Sequence, residues 1–277
     1  MGTIAARYDR SAVSYERWWA PVLAPAVAGL LDDVDRVLDG PAPTRALDIG
    51  AGTGTLARAA VMRWPGASVV GFDGSAAMLD VAAAEADRTL EPAVAARLSW
   101  ATGLAQAMPF ADGSFDIVMS SFVMQLVPDR LAALREAFRV LRPGGLLGYV
   151  TWLEGGEPFQ PDAIFQELVD EDALDDTLEA EEARSGDLPS ATSAAAQARR
   201  AGFRRVSARV GTLEHRWTAR SYLSFLERYD AADLFETLAP GARGRLRERT
   251  AERLARLTPG AFTWRAPIVS VFGRRPG

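Results

Sequence analysis

Between residues 46 and 152 the chain alternates short apolar or β-branched runs with segments of helical periodicity, and few folds accept that order. Two parallel strands cannot be joined by a tight turn, so strand and helix taking turns along a chain point to a parallel sheet covered by helices. Strands are predicted at Ala46–Ile49, Ser68–Phe72, Leu98–Ala101, Asp116–Ser120 and Leu146–Trp152, with helices at Ala57–Trp64 and Ala76–Arg88. Asp129 is placed to cap a further helix carrying Leu131, Leu134, Phe138 and Leu141 on one face, with Pro143-Gly144-Gly145 to end it. Arg204–Leu213 and Ala266–Gly273 read as two more strands, and Pro267, which has no N–H to give a ladder, assigns the last one to a sheet edge.

Two long segments interrupt the alternation, Glu154 to Ser190 and Thr218 to Gly260. As insertions after strands they are expected to form lids over whatever the sheet binds. The expected organisation is one domain over 1–277, with an N-terminal helical cover over 1–40, a ligand-binding core over 41–153 and the two insertions as lids. The first residues, MGTIAARYDR, carry charges where a signal peptide needs its apolar core, and the apolar stretch from Trp18 to Leu31 is short and broken by Pro21 and Pro25. A soluble, cytoplasmic protein is expected.

Composition removes several chemistries. There is no cysteine, hence no disulfide, zinc-thiolate site or cysteine nucleophile, and His215 is the single histidine. Every basic side chain is Arg, a bias that reads as a GC-rich genome. A net charge of -5 gives no electrostatic reason to expect a nucleic-acid backbone as partner. The Arg-rich segment 242–256 spaces Leu246, Thr250, Leu254 and Leu257 at near-helical intervals, which describes a helix with a solvated charged face.

The stretch ALDIGAGTGTLARAA, residues 46 to 60, turns from strand to helix through glycines at 50, 52 and 54. Such a turn brings a ligand close to backbone N–H groups at the positive end of a helix dipole. Thr55 stands where the dinucleotide fingerprint G-x-G-x-x-G has its third glycine, so a pyrophosphate is disfavoured. Asp48, at the carboxyl end of the first strand, would face a cation. Asp73 ends the second strand, where a carboxylate accepts hydrogen bonds from a ribose diol.

With these pieces, residues 46 to 152 resemble the class I S-adenosylmethionine-dependent methyltransferases, the large group that includes the quinone-biosynthesis enzymes. The matching stretches are LDIGAGTG (47–54), GFDGSAAML (71–79), MPFADGSFDIVMSS (108–121) and LREAFRVLRPGGLLGYV (134–150). The resemblance implies a Rossmann-like, seven-stranded, mostly parallel α/β sheet with helices on both faces, an antiparallel last strand and helical lid insertions. It implies that Gly50, Ala51, Gly52 and Gly54 form the loop against the methionine end of S-adenosylmethionine, with Asp48 holding the ammonium. Asp73 would bind the ribose, Gly74 and Met78 would border the adenine, and Leu104 and Ala105 would flank its other side. Ser120 and Phe122 would lie near the sulfonium. Many relatives carry an acid at position 104, and the quinone enzymes an Arg-Asn pair after the fourth strand, where this chain reads FVMQLVPD with Gln125. Gln125 either faces the acceptor or bonds a loop backbone.

Methyl transfer from a sulfonium needs alignment and exclusion of water above all, since effective molarities of well-oriented groups reach ~10⁵ M or more. No metal is required. The acidic run DEDALDDTLEAEEAR (170–184) reads as a solvated face, because magnesium-dependent relatives use ligands converging from loops near the cofactor. A hydroxyl, phenol or acidic C–H acceptor would need a base, and His215 is the candidate. Aromatic residues gather in the cover segments, so Tyr15, Trp18, Trp152 and Trp217 join Gln125 as candidates to contact a largely apolar small-molecule acceptor. Two other activities fit the residues: a non-methylating reaction on the same fold and cofactor, and an NAD-dependent oxidoreduction. The sequence leaves the oligomeric state open.

Overall fold

The computed structural model describes residues 3–171 and 185–277, so most of the acidic run lies outside the described residues. The chain divides into two compact units, the first containing residues 3–154, 185–211 and 267–277, the second 155–171 and 212–266.

The first unit begins with two helices, α1 (Thr3–Trp18) and α2 (Ala20–Val37). Strands and helices then alternate as β1 (Arg45–Ile49), α3 (Thr55–Arg63), β2 (Ser68–Asp73), α4 (Ala76–Thr89), the single turn α5 (Pro92–Ala95), β3 (Leu98–Thr102), β4 (Phe115–Ser121), α6 (Arg130–Val140) and β5 (Leu141–Trp152). Beyond α7 (Gln160–Glu171), which belongs to the second unit, the first resumes with α8 (Ala191–Arg200), residues 204–211 of β6 (Arg204–Arg216) and residues 267–274 of β7 (Thr263–Arg274).

The seven strands form one sheet in the order β3-β2-β1-β4-β5-β7-β6, parallel through β5 and antiparallel between β5 and β7. This is the Rossmann-like sheet that the resemblance implies. Ala46 to Ile49 of β1 and Ile117 to Ser120 of β4 are buried, as central strands covered on both faces must be. Strand order reverses between β1 and its neighbours β2 and β4, which opens a crevice at their carboxyl ends.

Local chemistry fixes the helix starts. Asp129 caps α6 by accepting from the Ala132 N–H (2.9 Å), as expected, and Ser75 caps α4 by accepting from Met78 (3.1 Å). Two expectations are corrected. The helix α6 ends at Val140, because Leu141 already pairs with Phe115; Leu146 then pairs with Ile117, so Pro143-Gly144-Gly145 forms a bulge inside β5. Pro267 is not on an edge strand, since β7 lies between β5 and β6. Its carbonyl accepts from Leu153 (3.0 Å), and the regular ladder with β5 starts one residue later at Ile268, so the missing N–H interrupts only the end of the pairing.

In the second unit, α9 (Ala219–Phe225), α10 (Ala232–Thr237) and α11 (Pro240–Leu254) accompany α7. Phe165 of α7 stacks on Phe235 of α10, and α11 buries Leu246, Thr250 and Leu254. Arg249 and Arg253 on α11 pair with Glu171 and Glu167 on α7 (2.5 and 2.6 Å). The arginine-rich segment is thus a helix with its apolar stripe inward and its charges paired or solvated, as its spacing indicated. Among the described residues, no helix is long and apolar enough to cross a membrane.

Candidate functional site

The carboxyl ends of β1, β2 and β4 border a cavity of about 390 Å³ in the first unit, within the range of small-molecule sites. Gly50, Gly52, Asp73, Gly74, Met78, Leu104, Ala105 and Phe122 line it, together with Tyr15 and others of α1. Asp73 is the one charged side chain among its described lining residues. A smaller recess of about 30 Å³, room for a single polar group, is lined by Tyr15, Asp48, Gly50, Ala51, Gly52, Thr53 and Ser121.

The glycines of the turn divide their roles. A methyl group on Gly50 would lie 2.1 Å from Val123 Cγ2, and one on Gly54 would lie 2.8 Å from the Trp100 ring. These two glycines admit protein side chains. Gly52, at φ +53°, has nothing within 4 Å of where a Cβ would be and is the glycine whose bare face the cavity meets. Trp100, which the sequence reading missed, also fills the side-chain space of Gly71, its partner in the β2–β3 register. Laying VVGFD beside LSWAT in parallel register would have revealed that pairing of the largest side chain with none.

The two acids differ. Asp73 Oδ2 accepts from the Gly52 N–H (2.8 Å) and Oδ1 from the Ser75 N–H (2.9 Å), so the carboxylate ties the glycine turn to the second loop and keeps lone pairs for a ligand. Burial raises its pKa, opposed by those backbone N–H groups. Asp48 is 1% exposed, and neither carboxylate oxygen has a hydrogen-bond partner. Burial, then the neighbouring Asp73 charge, pushes its carboxyl well above the usual carboxylate range, opposed only by the Ala57 N–H, which lies outside good hydrogen-bond geometry. A buried carboxylate so weakly compensated is costly, and a cation entering the recess it lines would relieve it.

Other candidates stand elsewhere. Ser120 is fully buried and donates to the Ile49 carbonyl (2.8 Å), while its neighbour Ser121 lines the cavity and the recess. A one-residue shift along a strand exchanges faces, so Ser121 meets the cavity and Ser120 turns away from it. Gln125 is buried and takes the second of its two roles: Nε2 donates to the Phe122 carbonyl (2.7 Å). Trp152 packs on Phe122, ring centroids 4.1 Å apart, and the Arg17 guanidinium lies over Trp18. His215 and Trp217 belong to the second unit, with rings 4.3 Å apart, and burial lowers the His215 pKa.

Residues 47–148 match the family described as a methyltransferase domain. That stretch belongs to the class I methyltransferases. Over 116 residues the chain is 43% identical to the ubiquinone/menaquinone biosynthesis C-methyltransferase of Dinoroseobacter shibae, covering 41% of this chain and 45% of that one. Over 117 residues it is 39% identical to the demethylmenaquinone methyltransferase of Lactiplantibacillus plantarum, covering 42% and 46%. The match spans less than half the length of these relatives. Among solved structures, phosphoethanolamine N-methyltransferase 2 of Haemonchus contortus, in complex with phosphomonomethylethanolamine and S-adenosylhomocysteine, superposes with a TM-score of 0.56 at 21% identity, covering 97% of this chain and 58% of that one. At that identity the likeness shows the fold. The matched stretch therefore contains the glycine turn, Asp48, Asp73, Phe122 and Gln125, and it leaves out α1, α2 and the whole second unit.

Proposed function

We propose that the chain is an S-adenosylmethionine-dependent methyltransferase acting on an oxygen, nitrogen or carbon of a largely apolar small molecule in the cytoplasm. The observation that carries this is the unpartnered, buried carboxylate of Asp48 beside the glycine turn. It asks for a cation, which the amino-acid end of S-adenosylmethionine has and the pyrophosphate of a nicotinamide dinucleotide lacks. Asp73 supplies the acceptors for a ribose diol, Gly52 allows close backbone approach, and Met78, Gly74, Leu104 and Ala105 offer a slot for the adenine. S-adenosylmethionine, when bound, supplies a methyl group on a leaving group already activated. The work left to the chain is to hold the acceptor in line and exclude water.

Phe122, Leu126, Val127 and Pro128 give the cavity an apolar wall, and no basic side chain among the described residues lines it. An uncharged, apolar acceptor suits that lining. Calorimetry with S-adenosylhomocysteine and with NAD tests the reading: binding of the first and none of the second is expected, and the reverse would overturn it.

Asp48 supplies a further prediction. A carboxyl whose folded pKa is raised contributes stability only while protonated, and that contribution is lost as pH climbs from the unfolded carboxylate range through the folded pKa. Asp48→Asn therefore raises the urea midpoint of the ligand-free protein at neutral pH and weakens S-adenosylhomocysteine binding. In the parent protein, affinity rises with pH across the same window. A variant with unchanged midpoint and unchanged affinity would show that Asp48 meets neither solvent loss nor ligand.

A further inference from the structure

The turn after β4 holds a conformation that its sequence does not favour. Phe122 sits at φ +56°, in the left-handed region, and is buried. For a bulky residue that conformation is strained and persists where the surroundings fix it. The fixing groups form a continuous chain. The Phe122 N–H donates to the Val150 carbonyl (2.8 Å), and the Phe122 carbonyl accepts from Gln125 Nε2 (2.7 Å). Gln125 Oε1 in turn accepts from the Thr151 hydroxyl (2.5 Å), a side chain fully buried on β5. The Gln125 carbonyl accepts from the Gly186 N–H (3.0 Å), so both its side-chain amide and its backbone are anchored.

This anchored turn touches the ligand cavity twice. The Phe122 ring forms part of its wall, backed by Trp152 at 4.1 Å. Val123 occupies the space where Gly50 would carry a side chain, so the position of the turn and that of the glycine loop are set together.

We propose that Gln125 is a positioning residue: with Thr151 it holds Phe122 in the left-handed conformation, and through Phe122 and Val123 it fixes the cavity wall and the Gly50 end of the glycine turn. The inference rests on the reading of this cavity as the S-adenosylmethionine site. Gln125 itself is buried and does not line the cavity; its amide points to Phe122 and Thr151. A glutamine at this place turns inward to support the wall, where an outward side chain would recognise the acceptor.

The test uses the full chain, S-adenosylhomocysteine as probe and two variants of nearly unchanged shape, Gln125→Leu and Thr151→Val. Calorimetry on the folded protein is paired with urea unfolding. Gln125→Leu is expected to weaken binding about tenfold, the equivalent of ~1.4 kcal/mol, and Thr151→Val severalfold in the same direction. Because both act through one chain of bonds, the double variant should bind no more than about twofold worse than Gln125→Leu. A purely structural role would lower the urea midpoint and leave the affinity of the folded protein unchanged, and that result overturns the proposal. So does full additivity. Should Gln125→Leu fail to fold, Thr151→Val alone decides, with unchanged affinity as the contrary result. A parent protein that does not bind S-adenosylhomocysteine would instead overturn the cofactor reading, and the inference with it.

Discussion

Asp73→Ala should weaken S-adenosylhomocysteine binding by about 1.5–3 kcal/mol, roughly 10- to 150-fold by calorimetry, the range for hydrogen bonds to a charged group. The carboxylate has two tasks. It offers acceptors to a ligand in the cavity, and it holds the Gly52 N–H at 2.8 Å and the Ser75 N–H at 2.9 Å. Alanine removes both at once. Asp73→Asn separates them: the amide keeps the size and one acceptor oxygen, so part of the loop tether survives while the charge-assisted bonds to the ribose are lost. An intermediate affinity is expected for Asn. Affinity of Asp73→Ala within twofold of the parent would refute the ribose assignment.

Gly50→Ala and Gly52→Ala, two residues apart, should fail in different ways. At Gly50 the added methyl lies 2.1 Å from Val123 Cγ2, on a backbone at φ +68°. Overpacking costs about 1–3 kcal/mol and a left-handed residue with a side chain about 1–2 kcal/mol more, so the urea midpoint should fall by a large share of the stability of a marginally stable fold. At Gly52, φ +53°, the methyl meets no protein atom within 4 Å, so only the backbone penalty applies to folding. Its methyl points into open space at the cavity, so binding is what it removes. A Gly52→Ala protein that binds normally, or a Gly50→Ala protein as stable as the parent, would reverse the roles given to the two positions.

The contrast between these glycines shows where sequence reasoning reached its limit. Spacing marked the turn, the strand before it and the helix after it, but all three glycines looked alike as places for ligand approach. Which neighbour fills the missing side chain depends on what packs there from far along the chain: Val123 for Gly50, Trp100 for Gly54 and Gly71. Gln125 is a similar case. Its two roles could not be separated from the stretch FVMQLVPD, because the choice rests on Thr151, a residue of the next strand.

The sequence by itself determined the alternation of strands and helices, the capping by Asp129, the placing of Asp48 and Asp73 at strand ends, and through four spaced motifs the class of the domain. Those follow from periodicity and from groups a few residues apart, which act locally wherever the chain goes. Tertiary structure alone decided that Pro267 lies inside the sheet, that Pro143-Gly144-Gly145 is a bulge, that Ser121 and not Ser120 meets the cavity, and that Gln125 faces inward. Each depends on register or on which strand lies next to which, and those are set by contacts between residues distant in the chain, where one step of register turns a side chain to the opposite face.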